Sequence, residues 1–457
     1  MNFDTITAIS TAQAEGAIGI IRISGKNAIN ISREIFRSKT NKSIDFENKK
    51  LTYGYIYDEA IIIDEVLVAA MYAPNSYTCE DIVEINCHGG IVPLKRILKL
   101  VLKKGARMAE PGEFTKRAFL NGRLDLSQAE SVMDLINAKT NKSFDLALEQ
   151  LGGSLSEDIN LMRKNIEELM AQIAVSIDYP EEDIEEITYG EIINKLKLLF
   201  DKVIDLANSG EKGKIFRDGL STVIIGKPNV GKSSLMNVLL KESRAIVTDV
   251  PGTTRDIIEE YLNIEGIPLK IVDTAGIRDT DDIVEKIGVE KSKEFFNKAD
   301  LVIFVLNSSE KLSDEDREIM KYIVDKKAIV IINKTDLKQA IEEDEINNTL
   351  HDKIIIKTSI TNKFGIDKLE KEIYNMIIGG TIKENESKLV SNTRHINALE
   401  KASNSLKEAI QATKDRMPYD FIEVDIKNAY NYLGEITGET VETDIVKKIF
   451  SNFCLGK

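Results

Sequence analysis

The pattern of apolar and polar positions changes period along the chain and divides it into segments. Up to about Leu120, short apolar or alternating runs predict strands: GAIGIIRIS (Gly16 to Ser24), LTYGYIY, VLVAAMY and CEDIVEINCHGG, the last closed by a glycine turn. NAINISREIF between them predicts a short amphipathic helix, and Ile91 to Lys104 a longer one with Lys95, Lys99 and Lys103 at i, i+4 and i+8 on one face. From Ser127 to about Asp218 the period stays helical with few breakers, apart from Gly152-Gly153 and the acidic corner DYPEEDIEE (Asp178 to Glu186). STVII (Ser221 to Ile225), LKIV, AIVII and IIIK then read as buried strands, which predicts an α/β unit ending near Gly379-Gly380. A polar linker, TIKENES, leads to further helix from about Asn392 to the terminus. Two helical segments flanking an α/β unit predict an inserted domain, because insertion needs chain ends that lie close together.

Length and composition narrow the class. At 457 residues the chain is expected to form two or three domains. A net charge of -14 argues against coating nucleic acid by bulk charge but leaves room for a local basic surface. The Lys95, Lys99 and Lys103 stripe is then either a solvated face or a contact for an RNA backbone. Cys79, Cys87 and Cys454 show neither metal-ligand spacing nor a disulfide framework, which suits a reducing cytosol. The N-terminus MNFDTITAIS lacks a basic n-region and a long apolar stretch, and no run reaches the ~20 apolar residues of a membrane span. A cytoplasmic protein without a membrane segment is expected.

The candidate chemistry centres on GKPNVGKSS, Gly226 to Ser234. Its G-x-x-x-x-G-K-S spacing lies between the strand STVII and the helical LMNVLL, the context in which backbone N–H groups and a helix N-terminus cradle phosphates. Asn229, Val230, Gly231, Lys232, Ser233 and Ser234 line that loop, with Lys232 reaching the β/γ-phosphates and Ser233 ligating Mg2+. In DVPGTTRD, Thr253-Thr254 form a plausible switch, with Thr254 closing on Mg2+ and γ-phosphate. Asp273, Thr274, Ala275 and Gly276 follow LKIV, and Asp273 would hold Mg2+ through water. Asn333, Lys334 and Asp336 follow AIVII; a carboxylate such as Asp336 accepts both N1–H and the exocyclic amino group of guanine, an arrangement adenine does not offer. Thr358, Ser359 and Ile360 follow IIIK and would present a backbone N–H to guanine O6. Four such elements in this order, each after a strand, resemble the translation-factor-like branch of P-loop GTPases, so the nucleotide is GTP.

Beyond the GTPase motifs, GIIRISG, SYTCEDIVEINCHGG, PGEFTKRAFLNGRLDLSQAE, GTTRD, DTAGIR and the terminal Cys-x-Gly-Lys occur in order along the whole chain. Together they resemble the MnmE (TrmE) family of tRNA modification GTPases. Leu455 stands where Ile is usual, Arg123 where Lys is common, and Pro251 where a small residue is typical; none of these removes a charged or ligating group.

The resemblance implies a multidomain α/β plus α fold. Residues 1–120 would form an N-terminal α/β domain for folate binding and dimerisation, 121–218 with 381–457 a discontinuous helical domain, and 219–380 an inserted Ras-like GTPase domain. It implies 5-formyl-tetrahydrofolate or a related one-carbon tetrahydrofolate held by Arg22, Glu80, Arg123 and Lys457, types suited to glutamate carboxylates and pterin donors. Cys454 would lie near the folate, available for chemistry on the transferred carbon; taken alone it is a tail thiol. The implied partner is a flavin- and NADH-dependent MnmG protein, with which a homodimer installs an aminomethyl or carboxymethylaminomethyl group on C5 of the wobble uridine in certain tRNAs.

Hydrolysis needs another device than in Ras-like enzymes, because Ile277 follows Gly276 where a water-orienting glutamine would stand. The resemblance assigns water positioning to Glu285, among the nearby acids Asp279, Asp281 and Asp282, and a K+ ion to Asn229, Thr248, Val250 and Thr253. A ribosome-assembly GTPase without modification chemistry would carry the same GTPase motifs, but would need neither the folate block nor the terminal cysteine.

Overall fold

A computed structural model describes residues 4–12, 14–39, 46–178, 187–242, 260–271, 296–379, 389–441 and 443–457. Thr248, Val250, Thr253, Thr254, Asp273, Thr274, Ala275, Gly276 and Glu285 lie outside the described residues, as do most of the acidic corner and the TIKENES linker. The architecture is multidomain, α/β plus α, and the chain divides into two units. One comprises residues 1–133, 150–175 and 426–457; the other comprises 134–149 and 176–425.

The first unit is built on a seven-stranded sheet. Its elements are β1 (Ile6–Ile9), β2 (Ile18–Ser24), α1 (Ala28–Ile35), β3 (Phe36–Ser38), β4 (Leu51–Asp58), β5 (Ile61–Met71), β6 (Ile82–His88), α2 (Ile91–Lys103) and β7 (Arg107–Met108). The strand order is β3-β4-β5-β6-β2-β1-β7, antiparallel except for the β1–β7 pair. Period-2 alternation gives the sheet two distinct faces. Ile21, Ile23, Val83 and Ile85 pack with Ile31, Ile35, Leu94 and Ile97 of α1 and α2 in one core. Arg22 and Glu84, directly opposite in the β2–β6 register, belong to the other face, where Ile6, Ala8 and Phe114 are buried. Lys95, Lys99 and Lys103 are exposed on α2, and Lys103 pairs with Asp58 at 3.4 Å.

Helices follow: α3 (Glu113–Leu120), α4 (Leu126–Asn137), α5 (Asn141–Leu151), α6 (Ser154–Asp178), α7 (Tyr189–Asn208) and α8 (Gly210–Asp218). The helical period from Ser127 onward gave no sign of the break between α4 and α5. Its cause is local: Thr140 N–H donates to Ser143 Oγ at 3.0 Å and Ser143 N–H to Thr140 Oγ1 at 3.1 Å, a reciprocal cap that starts a new helix.

The second unit holds a six-stranded sheet of β8 (Leu220–Ile225), β9 (Glu260–Ile264), β10 (Ile267–Ile271), β11 (Leu301–Asn307), β12 (Ala328–Asn333) and β13 (Ile354–Lys357). Its order is β13-β12-β11-β8-β10-β9, and only β9–β10 is antiparallel. The helices here are α9 (Lys232–Glu242), α10 (Asp314–Ile323), α11 (Glu343–Thr349) and α12 (Ile366–Ile378). β11 is buried along its whole length because both faces are covered: Leu301, Ile303 and Val305 join the core containing Leu235, Leu239 and Leu369, while Val302, Phe304 and Leu306 join Ile319, Met320 and Ile323 of α10. Beyond the linker run α13 (Thr393–Lys414), α14 (Tyr419–Thr437) and α15 (Thr443–Ser451). Asn392 caps α13 by accepting the Arg394 N–H at 2.9 Å, at the position where the sequence predicts the helix start.

Candidate functional site

In the second unit the loop after β8 turns on residues with unusual backbone. Gly226 and Gly231 have φ of +141° and +106°, and Asn229 adopts φ +62°. A Cβ at Gly226 would come within 2.3 Å of the Val305 carbonyl, and one at Gly231 within 2.3 Å of Asn333 Nδ2. Only glycine permits so close an approach. Lys232 opens α9 and its ammonium donates to the Gly226 and Lys227 carbonyls, each at 2.6 Å. Burial pushes the Lys232 pKa down to about 8. Ser233 and Ser234 follow on the exposed side of the first turn. A glycine-rich loop leading into a helix N-terminus, with one ammonium held against the loop carbonyls, fits a polyphosphate.

Asn333 joins three loops that are distant in sequence. Its Nδ2 donates to the Val230 carbonyl at 2.8 Å, and its Oδ1 accepts from Thr358 Oγ1 at 3.2 Å and from the Ile360 amide at 3.3 Å. Lys334, at φ +63°, turns the chain so that Asp336 accepts a hydrogen bond from Ser359 Oγ at 2.6 Å. The sequence-predicted residues Val230, Gly231, Asn333, Asp336, Thr358, Ser359 and Ile360 therefore meet at one place.

In the first unit the C-terminal tail is docked. The Cys454 carbonyl accepts the Gly112 N–H at 3.3 Å, and the Lys457 carbonyl accepts the Phe114 N–H at 3.2 Å. The Gly456 carbonyl accepts from Ser10 Oγ and from Arg22 Nη1, both at 3.2 Å. Gly456 sits at φ +90°, with a would-be Cβ only 2.4 Å from the Ile9 carbonyl. The Cys454 side chain is exposed.

Arg22 and Arg123 approach the ring of Tyr77 at 5.7 and 4.8 Å, and Arg123 also donates to the Tyr77 carbonyl at 3.1 Å. A cleft of ≈ 530 Å³ is lined by Lys49, Ser76, Tyr77, Cys79, Asn121 and Arg123 among others. A cation stacked on an aromatic ring at its wall fits a ligand with both a carboxylate and a flat ring. Glu80 is held from behind: Ser24 Oγ donates to its Oε2 at 2.7 Å, and Arg117 Nη1 to both oxygens at 3.1 and 3.2 Å.

Arg117 and Tyr77 are the residues that sequence reasoning missed. Arg117 is 2 % exposed and binds Asp4, Glu80 and Glu113. Hydrogen bonds from Arg107, and then from Arg117, hold Asp4 down to about 2 against partial burial. Glu113 is also lowered: burial raises it, but Arg107, the Glu110 amide and Arg117 together outweigh that. The signal was the arginine inside PGEFTKRAFLN, which helical periodicity could not distinguish from a solvated position.

The model for the GTP-binding protein TrmE N-terminus matches residues 5–123, and that for the MnmE helical domain matches 126–454. The chain is 55% identical over 457 residues to a tRNA modification GTPase MnmE of Alkaliphilus oremlandii, covering 99% of each. To that of Clostridioides difficile it is 57% identical over 455 residues, again covering 99% of each. Among solved structures it is similar to the G domain of the T. maritima FeoB iron transporter, with 25% identity over 34% of this chain and 97% of that one, at a TM-score of 0.26.

Proposed function

The chain belongs to the MnmE family of tRNA modification GTPases, and we propose that it hydrolyses GTP in the course of modifying the wobble uridine of tRNA. The observation that carries the reading is the meeting of the phosphate loop with the 358–360 loop through the bonds of one buried asparagine, Asn333, with Asp336 held by Ser359 of that same loop. Asp336 would read the guanine edge, Lys232 would meet the β/γ-phosphates, and Ser233, Thr254 and Asp273 would hold Mg2+, which would offset the phosphate charge. Glu285 positions the attacking water. Asn229, with Thr248, Val250 and Thr253, would hold K+, which would supply the positive charge that an arginine finger supplies in other GTPases.

On the folate side, Arg22, Arg123 and Lys457 bind the carboxylates and Glu80 the pterin of 5-formyl-tetrahydrofolate or a related one-carbon form. Cys454 serves the transferred carbon. The docked tail supports this reading over that of a ribosome-assembly GTPase, which has no use for it. The chain works as a cytoplasmic homodimer paired through residues 1–120, with 219–380 as its inserted GTPase domain, and acts with an MnmG-type flavin- and NADH-dependent partner on tRNA. Among the described residues no helix is long and apolar enough to cross a membrane. Mass spectrometry of wobble uridines from a strain lacking this chain tests the proposal. Loss of the aminomethyl-type groups, restored by the wild-type chain, is expected; an unchanged uridine profile would overturn it.

A further inference from the structure

We infer that Lys227, the first residue inside the phosphate loop, is a positioning residue for the nucleotide: its ammonium, gripped by the buried carboxylate of Asp316, fixes the loop carbonyl on which Lys232 rests. The inference builds on the guanine-nucleotide reading of that loop. Lys227 Nζ lies 2.8 Å from Asp316 Oδ2, with Glu310 Oε2 farther away at 3.8 Å. Asp316 is 1 % exposed and is itself immobilised, since its Oδ2 accepts the Ser313 N–H at 2.9 Å and Ser313 Oγ at 2.8 Å in the cap of α10.

An ion pair on open surface contributes little, but here one partner is out of water and needs its cation. The main chain of the same Lys227 accepts the Lys232 ammonium at 2.6 Å. A tether thus runs from α10 through the Lys227 side chain to its carbonyl and on to the phosphate-binding lysine. Glycine at 226 leaves the backbone there with little preference of its own, so a side-chain anchor at 227 adds to the Asn333–Val230 bond in fixing the start of the loop. Lys227 would touch no phosphate. It acts by aiming the groups that do, and misplacement by about 1 Å at such a site can cost about 10²-fold.

The test is binding and release of a fluorescent GTP analogue by the full chain, together with the thermal midpoint without nucleotide. Lys227→Met is expected to raise the dissociation constant at least about tenfold, mostly through faster release, with discrimination between guanine and xanthine nucleotides unchanged. Lys227→Arg, which can still pair with Asp316, should bind within about threefold of wild type. Affinity of Lys227→Met within about twofold of wild type overturns the inference, as does a loss that Lys227→Arg shares in full. If Lys227→Met does not fold because Asp316 is left buried without its cation, Lys227→Met combined with Asp316→Asn decides by the same measure. That pair keeps an acceptor for Ser313 and removes the buried charge. Failure of the wild-type chain to bind any guanine nucleotide would overturn the reading of the loop itself; normal wild-type binding with an unaffected Lys227→Met overturns only the role of Lys227.

Discussion

Asn333 Nδ2 donates to the Val230 carbonyl at 2.8 Å, so the residue at the head of the proposed base-binding motif also braces the glycine-rich loop. Asn333 is 2 % exposed, and replacing it by Ala would leave buried partners unmatched, a cost of about 1–3 kcal/mol. Asn333→Ala is therefore expected to lower the thermal midpoint and weaken GTP and GDP alike, because both base and phosphate loops lose their common brace. Calorimetry and nucleotide titration check this. Full affinity for both nucleotides would show that the brace is idle.

Base choice should depend on Asp336, which Ser359 Oγ holds at 2.6 Å. Asp336→Asn exchanges acceptor for donor, so affinity should move from guanosine to xanthosine triphosphate, each by about tenfold or more. Competition between the two nucleotides measures the shift, and an undiminished preference for GTP would count decisively against the assignment.

The depressed pKa of Lys232 gives a pH dependence whose sign is fixed. In the role proposed for it the charged form binds phosphate, so below about 8 the free protein already carries the proton and affinity should be flat on this account. Above that value the proton must be taken up on binding, and GDP affinity should fall by up to about tenfold per pH unit. Titrations across about pH 7 to 9 would reveal it; affinity that rises through this range contradicts the role given to the lysine.

The proposed potassium site is tested at the loop asparagine. Asn229 sits at φ +62°, a conformation that asparagine tolerates well for turn reasons alone, so structure and role must be separated by experiment. GTP turnover should be high in K+ and low in Na+, and Asn229→Ala should be insensitive to the exchange. Equal wild-type rates in the two salts would remove the cation from the mechanism.

Tail docking can be broken without touching the thiol. Gly456→Ala puts a Cβ within 2.4 Å of the Ile9 carbonyl at a φ of +90°, which the tail cannot accommodate in place. Wobble-uridine modification should fall in Gly456→Ala and also in Cys454→Ser, while GTP turnover stays near wild type in both. Normal modification by Gly456→Ala would mean that docking is dispensable; normal modification by Cys454→Ser would reduce the tail to a structural role.

The sequence by itself determined what is encoded locally. The apolar run of β12, the G-x-x-x-x-G-K-S spacing, the capped start of α13 and the amphipathic face of α2 are each set by residues within one or two turns of each other, so periodicity and turn chemistry reveal them. The motif proposed to read guanine was legible for the same reason: its residues follow their strands directly. Tertiary structure alone decided which distant groups meet. Asn333 against Val230, Lys227 against Asp316, Arg117 against Asp4 and Glu80, and Gly456 against Arg22 all join residues far apart in the chain. A buried arginine and a solvated one have the same letter and the same helical spacing. What separates them is the desolvation that packing imposes and the carboxylates that packing brings within reach, and neither is written in the local pattern.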